Sequence, residues 1–190
     1  MKALVLNGSK TEKSTVNTVS DYLVDFLRIH DHEVDVMDLR NENIAGCLGC
    51  FGCWLKTPGE CIINDSGRDL ARKFIQSDVL FLLTPVTFGM YSSVLKKALD
   101  RLPCPVLMPF FENINGEIHH EKRYEKYPLL VAVGVLPNSD PESETIFTTL
   151  VQRNALNLHT KGTSSMVYST DKADEIKERV ISILSKVGVQ

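Results

Sequence analysis

Four cysteines lie close together in the sequence and form the pattern C-x2-C-x2-C-x7-C. Thiolates with such short spacing can converge on one metal centre, and the first three cysteines repeat the spacing of a compact [4Fe-4S] binding run. The pattern departs from the ferredoxin run, because its last interval is seven residues and its proline, Pro58, is internal. A zinc site, redox-active thiols and cysteines packed as small apolar side chains are therefore alternatives. The residues of the predicted metal site are Cys47, Cys50, Cys53 and Cys61.

A hydroxyl-rich turn, GSKTEKST at residues 8–15, follows the first apolar run and is called the phosphate loop below. Small residues let the backbone wrap a phosphate, amides at the start of the next helix point at it, and hydroxyls and lysine add donors. The glycine pattern of a Walker loop and the GxGxxG fingerprint are both missing, which argues against ATP and Rossmann-type NAD binding. On this turn alone, a phosphate cradle and a helix start capped by Ser14 or Thr15 are equally good interpretations.

A second unusual turn occupies residues 84–93, TPVTFGMYSS, and is called the ring loop below. A flat aromatic ring needs backbone donors and acceptors along its polar edge and apolar groups against its faces, and this turn offers both. Gly89 permits close approach of the backbone. The alternative is a turn whose aromatic side chains enter the core, which is the stronger interpretation for Tyr91 alone.

Apolar runs alternate with helical patterns along the chain, as expected of β-α units that close a parallel sheet. Strands are predicted at residues 2–7, 33–39, 78–84, 127–135 and 162–169, and five helices accompany them. We therefore expect an α/β, flavodoxin-like, doubly wound sheet of five parallel strands in the order 2-1-3-4-5, with helices on both faces. In that order the loops after strands 2, 1 and 3 are neighbours at the switch point, where ligands bind.

Two stretches interrupt this alternation, a cysteine-rich loop at residues 45–65 and an extended loop at residues 103–126. Long ordered loops are usually functional. An oligomer-forming arm and simple surface decoration explain the second stretch equally well. The length of 190 residues predicts one domain, residues 1–190.

The composition is that of an ordinary globular protein, with 43% hydrophobic residues and a net charge of -3. Basic residues are scattered, so nucleic acid and anionic membranes are not expected as partners. The first apolar run is too short for a signal peptide, and no run approaches membrane-spanning length. We expect a cytoplasmic protein, whose thiols stay reduced and are metal-binding or reactive rather than disulfide-bonded.

The sequence resembles the NADPH-dependent FMN reductase-like family, and within it the iron-sulfur flavoproteins. The resemblance rests on the phosphate loop, the four-cysteine pattern, Thr84-Pro85-Val86, and Leu95-Lys96 leading to Asp100-Arg101. It implies that the FMN phosphate is held by Ser9, Lys10, Ser14 and Thr15. It implies that the isoalloxazine ring is lined by Pro85, Val86, Thr87, Phe88 and Gly89, and that the four cysteines carry a [4Fe-4S] cluster. A homodimer or homotetramer is implied as well.

Three functions follow from these expectations. The leading hypothesis is an oxidoreductase that passes electrons through FMN, with the cluster relaying them to or from a redox partner such as ferredoxin. The second is a cluster-free NAD(P)H-dependent FMN or quinone reductase, and the third is a non-enzymatic cysteine-based redox or metal sensor. No catalytic side chain is assigned, because in a flavoprotein the cofactor carries the chemistry.

Overall fold

A parallel β-sheet forms the centre of the computed structural model, which describes residues 1–188. Within these residues the sheet has five strands, in the order β2-β1-β3-β6-β7. The strands are β1 (Lys2–Asn7), β2 (Glu33–Asp38), β3 (Val79–Pro85), β6 (Leu129–Leu136) and β7 (Gly162–Tyr168). Each neighbouring pair is parallel. The prediction of an α/β fold on five parallel strands is confirmed, whereas residues 189 and 190 of the predicted domain lie outside the described residues.

The sheet strands follow the predicted spatial order 2-1-3-4-5, but the last two are numbered β6 and β7 because a hairpin precedes them in the chain. Its strands, β4 (Leu107–Ile114) and β5 (Glu117–Lys122), pair with each other in antiparallel register. The turn is Asn115-Gly116, with φ of 54° and 87°, and this dipeptide suits a tight hairpin because both residues tolerate positive φ. The prediction of an extended loop at residues 103–126 is therefore wrong. A hairpin and a single-turn helix occupy most of that stretch.

Helices cover both faces of the sheet. The longer ones in residues 1–188 are α1 (Thr15–Ile29), α3 (Ser66–Gln76), α4 (Ser93–Leu99), α6 (Pro141–Asn157) and α7 (Ala173–Lys186). Two single-turn helices, α2 (Gly52–Leu55) and α5 (Pro103–Val106), were not predicted, since four residues are too few for a periodic pattern. No helix among the described residues combines the length and apolar character needed to cross a membrane.

The core is divided by the sheet into two apolar layers. Successive side chains of a strand point to opposite faces, so Leu80 and Leu82 of β3 join the layer under α3, α4 and α6. Phe81 and Leu83 join the layer under α1 and α7. A strand buried on both faces reads as an uninterrupted apolar run, which is why β3 was recognisable in the sequence.

Candidate functional site

The carboxyl ends of β1, β3 and β6 meet at one edge of the sheet, and a cavity of about 420 Å³ lies there. Ligand pockets commonly measure about 300–1,000 Å³, so this cavity has the size of a cofactor site. It is lined by the start of α1, the ring loop, the end of β6 and the residue after β7: Ser14, Thr15, Val16, Pro85, Val86, Thr87, Val135, Leu136, Pro137 and Ser169. Residues predicted separately from two loops therefore share one cavity.

The phosphate loop is shaped by hydrogen bonds among its own residues. Ser14 caps α1, because its Oγ accepts from the amide of Asn17 at 3.3 Å. The hydroxyls of Ser9 and Ser14 lie 2.7 Å apart, and the amide of Ser9 donates to Oδ1 of Asn7 at 2.9 Å. Ser9 is buried and Lys10 is exposed, and neither of them lines the cavity, so Ser9 acts on the site by ordering the loop.

Sequence reasoning missed Asn7 and Asn17, which order the phosphate loop from outside it. Nδ2 of Asn7 donates to Oδ1 of Asn17 at 2.9 Å, and Nδ2 of Asn17 donates to the Thr11 carbonyl at 3.0 Å. The available signal was a polar residue, Asn7, at the end of an otherwise apolar strand. Such a residue at the carboxyl edge of a parallel sheet is placed to act on the adjoining loop.

Gly8 fixes the distance between the phosphate loop and the ring loop. Its amide donates to the Leu83 carbonyl at 2.7 Å, and its carbonyl accepts from Oγ of Ser92 at 2.7 Å. A Cβ at this position would lie 2.9 Å from both of those oxygens, closer than real Cβ atoms come. A larger residue would therefore push the two loops apart.

The ring loop contains a tight turn whose tip is aromatic. The amide of Thr87 donates to the Met90 carbonyl at 3.2 Å, and the reverse bond measures 3.0 Å. Phe88 and Gly89 form the tip with φ of 51° and 71°, and positive φ is uncommon for a bulky residue. The Phe88 side chain is 88% exposed, so these two residues form the lip of the site and do not line the cavity.

Tyr91 lies in the core, as its sequence context suggested. Its hydroxyl accepts a hydrogen bond from Nδ2 of Asn154 at 3.0 Å, and burial raises the pKa of Tyr91 to about 12. The residue is protonated at neutral pH and packs edge-on against Phe147. Through these contacts Tyr91 attaches the ring loop to α6.

The end of β6 forms a third wall of the cavity that sequence reasoning did not assign. Val135, Leu136 and Pro137 line it, and the amide of Val86 donates to the Val135 carbonyl at 2.9 Å. The predicted strand order already placed this strand beside β3, so its carboxyl end had to border the same edge. That order was the signal that could have identified these residues.

A buried ion pair holds both ends of the cysteine-rich loop. Arg101, just after α4, donates to the two carboxylate oxygens of Asp65 at 2.8 and 2.9 Å, and these side chains are only 1% and 4% exposed. Arg101 also donates to the Ala45 carbonyl at 2.8 Å, while the Ala45 amide donates to Asp65 at 2.8 Å. Burial acts to raise the pKa of Asp65, but hydrogen bonds from Arg101, Ala45 and Gly67 outweigh it and lower that pKa.

The cysteine-rich loop also packs against the hairpin through Trp54. Its Nε1 donates to the Leu107 carbonyl at 3.0 Å. The indole ring stacks on Phe51 at a centroid distance of 5.3 Å and lies 4.8 Å from the ring of His120. The two stretches that interrupt the β-α alternation therefore contact each other.

The four thiols of the predicted metal site are not assembled around a common point. Cys47 and Cys50 are exposed, Cys53 is buried and Cys61 is half-buried. Within residues 1–188, no group of three or more histidine, cysteine, aspartate or glutamate side chains is arranged to hold a metal ion. The donor chemistry suits a [4Fe-4S] cluster, but the arrangement does not. The α2 turn, closed by the bond from the Leu55 amide to the Phe51 carbonyl, and its burial of Cys53 give the loop a different shape.

A fifth thiol, Cys104 of α5, lies beside this loop although it is distant in sequence. Burial raises the pKa of Cys104 to about 12, and the nearby thiols of Cys53, Cys47 and Cys50 add to the shift. Burial, followed by the charge of Cys61, likewise raises the pKa of Cys53. The buried Cys53 thiol and the half-buried Cys104 thiol are therefore protonated at neutral pH.

Comparisons with known proteins give consistent results. The family model described as NADPH-dependent FMN reductase matches residues 1–138. An FMN-dependent NADPH-azoreductase of Staphylococcus aureus is 35% identical over 102 residues, which are 54% of this chain and 52% of that protein. The chain thus spans about half the length of the curated relatives it matches.

Solved structures show a similar fold at low sequence identity. An NAD(P)H:quinone oxidoreductase from Methanothermobacter marburgensis superposes with a TM-score of 0.70 at 13% identity, covering 96% of this chain and 93% of that chain. An FMN-dependent NADH-azoreductase from Bacillus anthracis, solved in complex with FMN, gives 0.67 at 10% identity, covering 97% and 96%. Together with the strand order, these likenesses show the flavodoxin-like α/β fold.

Proposed function

The chain belongs to the NADPH-dependent FMN reductase family, and from this premise we propose that it is an FMN-dependent NAD(P)H oxidoreductase. The observation that carries the proposal is the cavity at the carboxyl edge of the sheet, where the start of α1 meets the ring loop and the end of β6. Its position is the switch point at which doubly wound sheets bind ligands. The names of the azoreductase and quinone oxidoreductase relatives support the same activity.

In this proposal the phosphate lies at the start of α1. Ser14 and Thr15 line that end of the cavity, and Ser9 and Lys10 belong to the same loop. The first amides of a helix have no intrahelical acceptor and carry the positive end of the helix dipole, so they favour a phosphate dianion.

Pro85, Val86 and Thr87 would hold the isoalloxazine ring, and Phe88 and Gly89 form the exposed lip of the site. Bound FMN would supply the hydride-accepting and electron-passing chemistry. Pro85, Val86 and Leu136 form an apolar wall of the cavity. This wall would position the ring and exclude water from one of its faces. No protein side chain is needed as an acid or base in this assignment.

The test is reconstitution of purified protein with FMN, followed by NADPH or NADH oxidation with a quinone or an azo dye as acceptor. We expect retained flavin after desalting and turnover that depends on it. Protein that retains no flavin, or that retains flavin without oxidising either nucleotide, would contradict the proposal.

A second candidate function adds a [4Fe-4S] cluster and a redox partner such as ferredoxin. The spacing of Cys47, Cys50, Cys53 and Cys61 supports it, as does the electrostatic proximity of Cys53 to Cys47 and Cys61. Cluster binding would require the cysteine-rich loop to gather its thiols. The test measures iron and acid-labile sulfide after anaerobic purification, in the wild type and in a variant with all four cysteines changed to alanine.

Iron and sulfide that are present in the wild type and absent from the variant would favour the cluster. Their absence from both proteins, together with rapid NAD(P)H oxidation, favours the cluster-free FMN or quinone reductase. Absence of turnover with any donor, together with a partner that binds only the oxidised or only the reduced protein, favours the cysteine-based redox or metal sensor.

The hairpin supports the proposal of a homodimer or homotetramer. Phe110, Phe111 and Ile118 are apolar and exposed on it, and large exposed apolar side chains grouped on one element mark interaction surfaces. Light scattering during gel filtration tests this proposal. A monomeric mass at micromolar concentration would contradict it.

A further inference from the structure

One arginine reaches the phosphate loop from the loop after β2. Nη1 of Arg40 donates to the Thr11 carbonyl at 3.0 Å, and its Nη2 lies 2.6 Å from Oδ2 of Asp38, the last residue of β2. The Arg40 side chain is 23% exposed. The guanidinium is thus held between the end of β2 and the loop after β1, beside the start of α1.

The Thr11 carbonyl is crowded with donors. It accepts from Nη1 of Arg40, from Oγ of Ser9 at 2.8 Å and from Nδ2 of Asn17 at 3.0 Å. A carbonyl oxygen has two lone pairs, so three donors compete for it. The Arg40 guanidinium can therefore leave the neutral Thr11 carbonyl for an anionic acceptor at a small cost in free energy.

The loop around Arg40 has further donors without acceptors. No described residue accepts a hydrogen bond from the backbone amides of Lys10, Glu12 or Lys13. A phosphate monoester carries about -1.5 to -2 charges at neutral pH and three strong acceptor oxygens. It is the kind of group that free amides and a guanidinium recognise together.

We propose that Arg40 binds the phosphate of the flavin and thereby selects FMN over riboflavin. The inference rests on the proposed FMN function and adds a residue from outside the phosphate loop. Lys10 and Lys13 are exposed, whereas Arg40 is oriented in advance. Asp38 aligns one edge of the guanidinium and is itself held by Nδ2 of Asn41 at 3.1 Å, so Asp38 is a positioning residue.

The experiment titrates flavin-free protein with FMN and, separately, with riboflavin, following quenching of flavin fluorescence. The proteins are the wild type, Arg40→Gln, Arg40→Lys and the control Arg72→Gln. Arg72 is a matched control because it also pairs with an aspartate, Asp69, at 2.6 Å, but lies exposed on α3.

Arg40→Gln should weaken FMN binding by about tenfold or more, because a charge-assisted bond to the phosphate is lost. Its riboflavin affinity should stay within about twofold, since riboflavin has no phosphate to lose contact with. Arg40→Lys should keep part of the FMN preference, because the charge remains without the guanidinium geometry. Arg72→Gln should change neither affinity.

Other outcomes separate the possible failures. Equal weakening of FMN and riboflavin by Arg40→Gln would show that Arg40 only shapes the loop, and unchanged FMN affinity would show that it does not contact the phosphate. Either result overturns the inference. If riboflavin binds too weakly to titrate, competition by inorganic phosphate decides: phosphate should displace FMN from the wild type and lose this ability with Arg40→Gln. A wild type that binds no flavin contradicts the proposed function itself.

Discussion

The phosphate loop and the cysteine-rich loop follow neighbouring strands, yet they are held in different ways. In the phosphate loop, Ser9 and Ser14 bond to each other and to residues close to them in sequence. The cysteine-rich loop is held at its ends by Arg101, which is 36 residues beyond Asp65, and at its middle by the bond from Trp54 to Leu107. The first loop is held mainly by local hydrogen bonds, with long-range bonds at Gly8 and Thr11. The second loop takes its shape from the assembled fold.

This difference predicts where each loop is vulnerable. Local hydrogen bonds are individually worth about 0.5–1.5 kcal/mol, so changes in the phosphate loop should affect binding more than folding. A buried ion pair behaves differently, because removal of one partner leaves an uncompensated charge in the interior. The Arg101–Asp65 ion pair is called the clamp below. Changes at this clamp should therefore affect the stability of the whole chain.

Arg101→Ala is expected to have the largest effect. It should lower the free energy of unfolding by about 3–5 kcal/mol, because Asp65 is left buried without its partner. Urea denaturation followed by circular dichroism measures the change. Arg72→Ala removes an exposed pair on α3 and should cost about 0–1 kcal/mol. If Arg101→Ala and Arg72→Ala lower the free energy of unfolding by similar amounts, the buried ion pair does not hold the cysteine-rich loop to the rest of the fold.

The same clamp predicts a dependence on pH. The folded pKa of Asp65 is lowered, so its contribution is fully present above the unfolded pKa, about 3.9. It is lost as pH falls below that value toward the folded pKa. The stability difference between the wild type and Arg101→Ala should therefore be largest near neutral pH and shrink as the pH falls, because Asp65 is protonated first in the variant, where burial acts on the carboxyl without Arg101. A difference that stays constant down to pH 2.5 would contradict the assignment.

Ser14→Ala tests the expectation that changes in the phosphate loop affect binding more than folding. Loss of the N-cap of α1 should cost about 1 kcal/mol of stability. FMN affinity should also fall, because Ser14 lines the cavity. Thermal unfolding and flavin titration measure the two effects, with Ser182→Ala on the exposed face of α7 as control. A loss as large as that of Arg101→Ala would remove the distinction between the two loops.

Phe88→Asn should have the smallest effect, and it should be stabilising. Asn tolerates positive φ better than a bulky aromatic residue, so up to about 1 kcal/mol of local strain is released. The thermal midpoint should rise slightly. Unchanged or lower stability would mean that the exposed Phe88 ring makes contacts that offset its backbone strain.

The sheet was predictable because its signals are local. The uninterrupted run of β3 and the cap and proline at Asp140-Pro141, where α6 begins, agree with the structure to within one or two residues. The hairpin also has a local signal, Asn115-Gly116, but the segments on either side of it are of mixed polarity, and such a pattern does not distinguish a strand from a loop. Parts of the cavity wall followed from the strand order alone.

The surroundings of the cysteines were not predictable from their spacing. Cys104 lies near Cys53 only because α5 packs against α2, and Arg101 reaches Asp65 only because α4 and α3 pack on the same face of the sheet. Arg40 likewise reaches Thr11 because β2 pairs with β1. Contacts between residues distant in sequence depend on packing that no short pattern encodes.

Trp54 is the single tryptophan of the chain, and it lies where the cysteine-rich loop meets the hairpin. Its fluorescence emission therefore reports on this junction, while the phosphate loop contributes nothing to that signal. Oxidation, metal uptake or loss of the Arg101 clamp would each change the indole's surroundings and so its emission wavelength or intensity. The molecule thus contains a spectroscopic probe of the cysteine-rich loop that needs no label.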